Sequence, residues 1–343
     1  MRKIKGGGMK RLLVVMVCLA FAASAAYAED LDTKKMAMAH KSIKMLKDPR
    51  TEHDATVMLV SLKESAVPQL ANTARNTGEK ISVRIAAIDI LGDIRSAAAT
   101  DAVLVTLKDS NVKIRRASAK TLGRIGDIKA VGGLKEALAD FDTETRLSAV
   151  KALVAIKDPG TGDTYMSLLN DPEAGIRMYA VVGLGDLGDE RAVEKLSAMT
   201  SDLNDDVRLR VAIAMGKIRS KKAIEALNLL SQDRNINVRR EALVAIGNIG
   251  DRSSVPYLIT VAERDYKELR CAAVEALGKI GDKESVPVLK RLLKDEIIDV
   301  RIAAIRALAK IDRDRSSDDF KSLLTDESTK VRKEATIALQ DAK

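Results

Sequence analysis

Nine arginines stand 31 residues apart without a miss: Arg84, Arg115, Arg146, Arg177, Arg208, Arg239, Arg270, Arg301 and Arg332. A strict internal period of this length marks a repeat architecture, in which each small unit buries its apolar face against its neighbours. The period also supplies a coordinate. Every later position can be counted as an offset from its own arginine.

Counted this way, offset −1 is apolar in eight repeats, from Val83 to Val331, with Thr145 the exception. Offset +3 is small (Ala87, Ser118, Ala149, Ala180), and offset +7 is apolar throughout, from Leu91 to Leu339. Offset +10 is Ile94, Ile125, Ile156 and their equivalents down to Ala342. These offsets share one face of a helix with 3.6 residues per turn. Gly followed by Asp recurs at offsets +11 and +12, as Gly126-Asp127, Gly188-Asp189, Gly250-Asp251 and Gly281-Asp282. That pair stops one helix and starts the next. A second, shorter apolar helix follows, for example Val286–Leu293, with Pro287 in its first turn, where a missing N–H costs nothing. Each period is thus two antiparallel helices, too small to bury both faces alone. No useful stretch alternates with period two. The expected fold is all-α, a right-handed α-solenoid of about ten stacked helix pairs.

Before the repeats, Lys10-Arg11 leads into an apolar run, Leu12 to Phe21, and then into Ala26-Tyr27-Ala28. A basic start, a short apolar core and an A-x-A end predict a secretory signal peptide over 1–28, cleaved after Ala28. The run falls short of the roughly 20 apolar residues a spanning helix needs. Met1 and Met9 both offer a start. The expected location is the periplasm or outside the cell, with no integral membrane segment after cleavage. Residues 29–63 read as degenerate capping helices, and 64–343 as the repeat array. Removing the signal takes five of the 58 cations and no acids, leaving 53 cations against 49 anions, a net charge of +4. That balance, with few aromatics, argues against a nucleic-acid partner. Cys271 is the one thiol beyond the signal, so no intrachain disulfide forms there.

The motif D-x5-R-x6-L-G-x-I-G-D, carried here by Asp233, Arg239, Ile246-Gly247 and Ile249-Gly250-Asp251, resembles the HEAT repeats. The likeness is closest to the short 31-residue, phycobilisome-lyase-like type, and it covers roughly residues 50–343. Six residues before the arginines stand Asp109, Asp140, Asp171, Asp202, Asp233, Asp295 and Asp326, with Gly78 and Arg264 breaking the series. The resemblance implies that this Asp lies in the turn between two helices and forms a ladder with the arginines of neighbouring repeats. The physics agrees. A short acid beside a helix N-terminus caps free N–H groups, and an arginine can lay its stem on the core and reach a carboxylate with its fork.

The resemblance also implies that the second helix of each pair lines the concave side. Offsets +1 and +5 lie opposite the core face. There the middle repeats present Leu147, Met178, Val182, Leu209, Ile213 and Val244, with Tyr179 beside them, where other repeats carry charge. Arg116, Lys120, Arg124 and Lys151 form a basic shoulder before them. Glycine recurs at offset +8, which predicts a bare groove wall. An apolar strip beside charges is the composition of a protein or peptide groove, and it is also what close packing of the second helices would bury. The functional expectation is a non-catalytic scaffold with no cofactor. The alternative within the same fold is an enzyme of the bilin-lyase or deoxyhypusine-hydroxylase type. The latter needs His-Glu metal pairs, whereas this chain has only His40 and His53.

Overall fold

The computed structural model describes residues 31–312 and 316–340. The signal segment and its cleavage point after Ala28 lie outside the described residues, as does Ala342. The chain divides into two compact units, Met1–Ile156 and Lys157–Lys343.

In the first unit the helices are α1 (31–45), α2 (Glu52–Ser61), α3 (Val67–Arg75), α4 (Ile81–Ile94), α5 (Thr100–Thr106), α6 (Val112–Ile125), α7 (Val131–Ala137) and α8 (Thr143–Ile156). In the second they are α9 (Gly162–Leu168), α10 (Ala174–Leu187), α11 (Val193–Ala198), α12 (Asp205–Ile218), α13 (Ile224–Leu230) and α14 (Ile236–Ile249). That unit continues with α15 (Val255–Arg264), α16 (Lys267–Ile280), α17 (Val286–Leu292), α18 (Ile298–Ile311), α19 (Ser317–Ser322) and α20 (Thr329–Gln340). Among the described residues these form ten helix pairs and no strand. The architecture is all-α, built of antiparallel helix pairs in series. No helix among the described residues is long and apolar enough to cross a membrane.

The arginine-bearing helices α4 to α18 are each 14 residues long, from offset −3 to offset +10. Seven of these eight helices end in the left-handed conformation at offset +11, α18 being the exception with Asp312 at φ −151°. Gly126, Gly188, Gly250 and Gly281 adopt it with φ between 66° and 75°, and Arg95, Lys157 and Arg219 adopt it without glycine's freedom. The aspartate at +12 caps a 3₁₀ turn rather than the next α-helix. Asp127 accepts the Lys129 N–H and Asp251 the Ser253 N–H. Packing follows the offsets: −1, +3 and +7 are buried from Val83 through Leu308, while +10 is half-buried. Offset +4 (Ile88, Val150, Leu243, Ile305) and offset +6 (Ala152, Ala214, Ala245, Ala276) are buried as well, so the arginine helices are covered on both flanks. Tyr165, the bulkiest fully buried side chain, fits because Gly183 has no Cβ, which would stand 2.6 Å from its ring.

Candidate partner-binding face

The turn aspartates sit where two polar demands meet. Each accepts the N–H two residues on: Asn111 for Asp109, Asp142 for Asp140, Glu173 for Asp171, Asn204 for Asp202, Asn235 for Asp233, Ile297 for Asp295 and Ser328 for Asp326. This corrects the expectation that they cap the helix itself. The helix begins at offset −3, so its N-cap is at −4, where Asn111, Asn204 and Asn235 accept first-turn N–H groups.

Six of these seven carboxylates, all but Asp171, receive the arginine of the preceding repeat, 25 residues back. Arg115 meets Asp140 at 2.7 and 2.9 Å, Arg177 meets Asp202 at 2.8 and 2.9 Å, and Arg208 meets Asp233 at 2.6 and 2.9 Å. Arg84–Asp109, Arg270–Asp295 and Arg301–Asp326 repeat the pairing. A further guanidinium N–H returns to the main chain of its own turn. Arg115, Arg146, Arg177, Arg208, Arg239, Arg301 and Arg332 donate to the carbonyls of Asp109, Asp140, Asp171, Asp202, Asp233, Asp295 and Asp326. At the two repeats without the aspartate, Arg84 and Arg270 donate instead to the carbonyls of Ala74 and Ala262, at the ends of α3 and α15. Hydrogen bonds from Arg115 hold the Asp140 carboxyl below the ordinary aspartate range against the opposing pull of burial. At Asp233 burial alone would raise the pKa, and Arg208 with the Asn235 N–H outweighs it.

The second helices meet one another through glycine. A Cβ on Gly185 would lie 2.8 Å from Ala214, one on Gly216 2.9 Å from Ala245, and one on Gly247 2.7 Å from Ala276. Offset +8 of one helix is thus pressed against offset +6 of the next, and Gly123 meets Ala152 the same way. The glycines do not leave a bare wall. Their missing side chains are the space an alanine occupies.

The open face lies between those two contacts. At about 100° per residue it takes in offsets +1, +5, +9 and +2. In the second unit Met178, Tyr179 and Val182 on α10, Leu209 and Ile213 on α12, and Val244 on α14 are all half-buried there. Leu147 occupies the equivalent position on α8, also half-buried. Offset +9 carries a polar line, of which Arg124 is one member. Lys217 meets Asp186 at 2.6 Å and Lys279 meets Asn248 at 2.9 Å, each pair 31 residues apart. The recurring small residues at +6 and the acid–base alternation at +9 are the signals that would have located both.

The basic shoulder is partly neutralised. Arg116 is paired with Asp142, and Arg124 donates to Asp93 and Asp89, at 2.7 Å each. Lys120 and Lys151 are exposed side chains of the same shoulder. His40 and His53 are exposed on α1 and α2, and Cys271 is half-buried, its thiol pushed up by burial. Among the described residues no group of three or more His, Cys, Asp or Glu is placed to hold a metal ion.

The chain is similar to several solved structures. An engineered protein shares 20% identity, with a TM-score of 0.53, over 89% of this chain and 98% of its own. The Escherichia coli protein YibA shares 20% identity, with a TM-score of 0.52, over 75% of this chain and 96% of its own. Human deoxyhypusine hydroxylase matches 73% of this chain and 97% of its own at 20% identity, with a TM-score of only 0.35. At these identities the likeness concerns the fold alone. No curated protein matches the sequence. The family profile for HEAT repeats matches residues 67–140, 131–208, 196–270 and 255–340. A profile that accounts for nearly all of the described helix pairs settles the family, and the chain belongs to the HEAT-repeat proteins.

Proposed function

We propose that this protein is an exported, non-catalytic scaffold that binds a protein or peptide segment on the open face of its arginine helices. The observation that carries the reading is the set Met178, Val182, Leu209, Ile213 and Val244, half-buried apolar side chains on three consecutive helices. Equivalent positions elsewhere hold Arg116, Lys120, Arg240, Glu275 and Arg306. The salt-bridged and hydrogen-bonded line at offset +9 borders this strip, giving an apolar floor beside fixed polar groups. Truncating or charging such a floor removes anchor contacts, whereas rim changes cost little.

The double variant Val182→Asp, Ile213→Asp tests the assignment. Both side chains are half-buried on the open face, so helicity by circular dichroism should stay at the wild-type level. Partners identified by crosslinking in the native cell should bind at least about tenfold more weakly. A folded double variant that keeps every partner at wild-type affinity overturns the reading. Export is tested on the same material, because processed protein should begin at Glu29. Metal analysis separates the scaffold from the enzymatic alternative, since stoichiometric iron in native protein would favour a hydroxylase-like activity.

A further inference from the structure

Arg239 is anchored like the other arginines of the column, yet its fork is unengaged. In Arg115, Arg177 and Arg208, Nη1 donates to a carbonyl of the residue's own turn, while Nε and Nη2 together donate to the two carboxylate oxygens of the next turn aspartate. Arg239 keeps the first half of this arrangement, its Nη1 donating to the Asp233 carbonyl at 2.7 Å and the Arg234 carbonyl at 3.3 Å. Among the described residues its Nε and Nη2 have no acceptor, and neither atom is buried, so that edge opens to solvent. The other eight arginines all engage Nη2. Six donate it to a turn aspartate, and Arg146 and Arg332 donate it to Thr143 and Thr329 three residues back, where Arg239 has Ile236. The cause lies in α15, which runs to Arg264, whereas α13 and α17 stop at Leu230 and Leu292, three positions earlier in the repeat. Helix thus replaces the turn that would present an acid. Arg264 is exposed and, among the described residues, has no ion pair. The nearby acids are committed elsewhere: Asp265 turns its Oδ1 onto the Tyr266 N–H at 2.8 Å, and Glu263 is paired with Arg291.

We propose that the Arg239 fork binds a carboxylate supplied from outside the chain, completing in trans the pair that Asp140, Asp202 and Asp233 complete in cis. A guanidinium matches a carboxylate with two parallel N–H donors, and the Nη1 anchor already fixes the plane of this one, so little side-chain freedom is lost on binding. Arg264 adds positive charge at the register position where other repeats carry the acid. The acidic side chain of a protein segment and a free small carboxylic acid present the same chemistry. Neither Val182 nor Ile213 enters the site, so its failure leaves the reading of the apolar strip untouched.

The test titrates the full processed chain, ¹⁵N-labelled, with an acetylated and amidated Gly-Asp-Gly peptide, with its Gly-Asn-Gly counterpart, and with succinate. Binding is followed at the Arg239 Nε–H signal and at the backbone amides of Arg264 and Tyr266. The expected result is a saturable shift with the Asp peptide or with succinate, and none with the Asn peptide. Which of the two acids binds more tightly identifies the source of the carboxylate. Arg239→Lys keeps the charge and removes the fork, and Arg264→Asp, at an exposed position, supplies an acid in cis. Each should weaken binding about tenfold or more, read at the backbone amides. Asp265→Asn should leave the affinity within about twofold, because that carboxylate is not the occupant of the fork. Absence of a saturable shift with both acids, an equal response to the Asn peptide, undiminished affinity in Arg239→Lys or Arg264→Asp, or binding about tenfold tighter in Asp265→Asn would overturn the proposal.

Discussion

Replacing Arg208 by alanine should be far more damaging than the same change at Arg239, although the two residues hold equivalent places in successive repeats. The Arg208 side chain is 5% exposed and its partner Asp233 is 8% exposed. It makes two bonds to Asp233 and one each to the Asp202 carbonyl and Asp205, all between 2.6 and 2.9 Å. Truncation leaves the Asp233 carboxylate buried with the Asn235 N–H, at 2.8 Å, as its remaining hydrogen bond. Breaking a buried pair from one side costs about 3–5 kcal/mol. Arg239 donates to the carbonyls of Asp233 and Arg234, and the residue 25 positions on is Arg264, not an acid. Its loss forfeits hydrogen bonds worth about 1–2 kcal/mol and strands no charge. Urea unfolding followed by far-UV circular dichroism would read the two losses as midpoint shifts. Hydrogen exchange in α12 and α14 would place them, which matters because repeat arrays need not unfold in one step. The pair Arg208→Met with Asp233→Leu removes both charges at similar volume and should recover most of the loss. If Arg239→Ala costs as much as Arg208→Ala, or the apolar pair does no better than the single variant, the turn carboxylates are not what makes the arginines matter.

Two further outcomes follow from the same geometry. Gly247→Ala should destabilise by about 1–2 kcal/mol, because its Cβ would lie 2.7 Å from the Ala276 backbone, outweighing a helix-propensity gain of about 1 kcal/mol. Gly132→Ala on α7 meets nothing within 4 Å and should instead stabilise, so thermal melts of the two variants should shift in opposite directions. Acid should unfold the protein through its aspartates. Asp140, Asp202 and Asp233 are held below their ordinary values and Asp205, bonded first by Asn235 and then by Arg208 and Arg234, is held at about 2. Groups depressed in the folded state contribute stability above their unfolded pKa of about 3.9, and that stability is lost as pH falls through the folded values. Calorimetry should therefore show a nearly level melting temperature from about pH 7 to 5 and a steep fall between about pH 4 and 2. A melting temperature that rises on acidification would contradict the assignment.

The helix pairs were legible in the sequence because burial of −1, +3 and +7 imprints a 3.6-residue pattern on every repeat, and in four repeats Gly at +11 marks where the helix ends. The contacts between neighbouring second helices were harder to read. Gly216 looks the same in sequence whether it faces solvent, a ligand or Ala245, and only the partner 29 residues on distinguishes the cases. The open face suffered similarly. Counting opposite the core found +1 and +5, but the stacking contacts at +6 and +8 cover both flanks and move the middle of the open face toward +9. Arg116 and Arg124 read as free positive charge because their acids, Asp142 and Asp89, belong to neighbouring repeats. Local periodicity carries the fold, whereas charge pairing between repeats becomes visible only when the helices are placed side by side.

The alternation of guanidinium and carboxylate also sets how the second unit would come apart. From the Asp171 carbonyl through Arg177, Asp202, Arg208 and Asp233 to Arg239 the groups are linked without a break, each arginine donating to the aspartate oxygens beside it. A second run extends from Arg270 through Asp295 and Arg301 to Asp326 and Arg332. Between Arg239 and Arg270 there is no such handover, because Arg264 stands where the acid would be. Opening one repeat inside a run exposes ladder charges on both sides and draws its neighbours with it, whereas opening at the seam between Arg239 and Arg270 breaks no arginine–aspartate ladder pair. Unfolding under force or in mild denaturant should therefore proceed in blocks bounded by that seam, and the boundary of cooperativity is written in a single residue, Arg264.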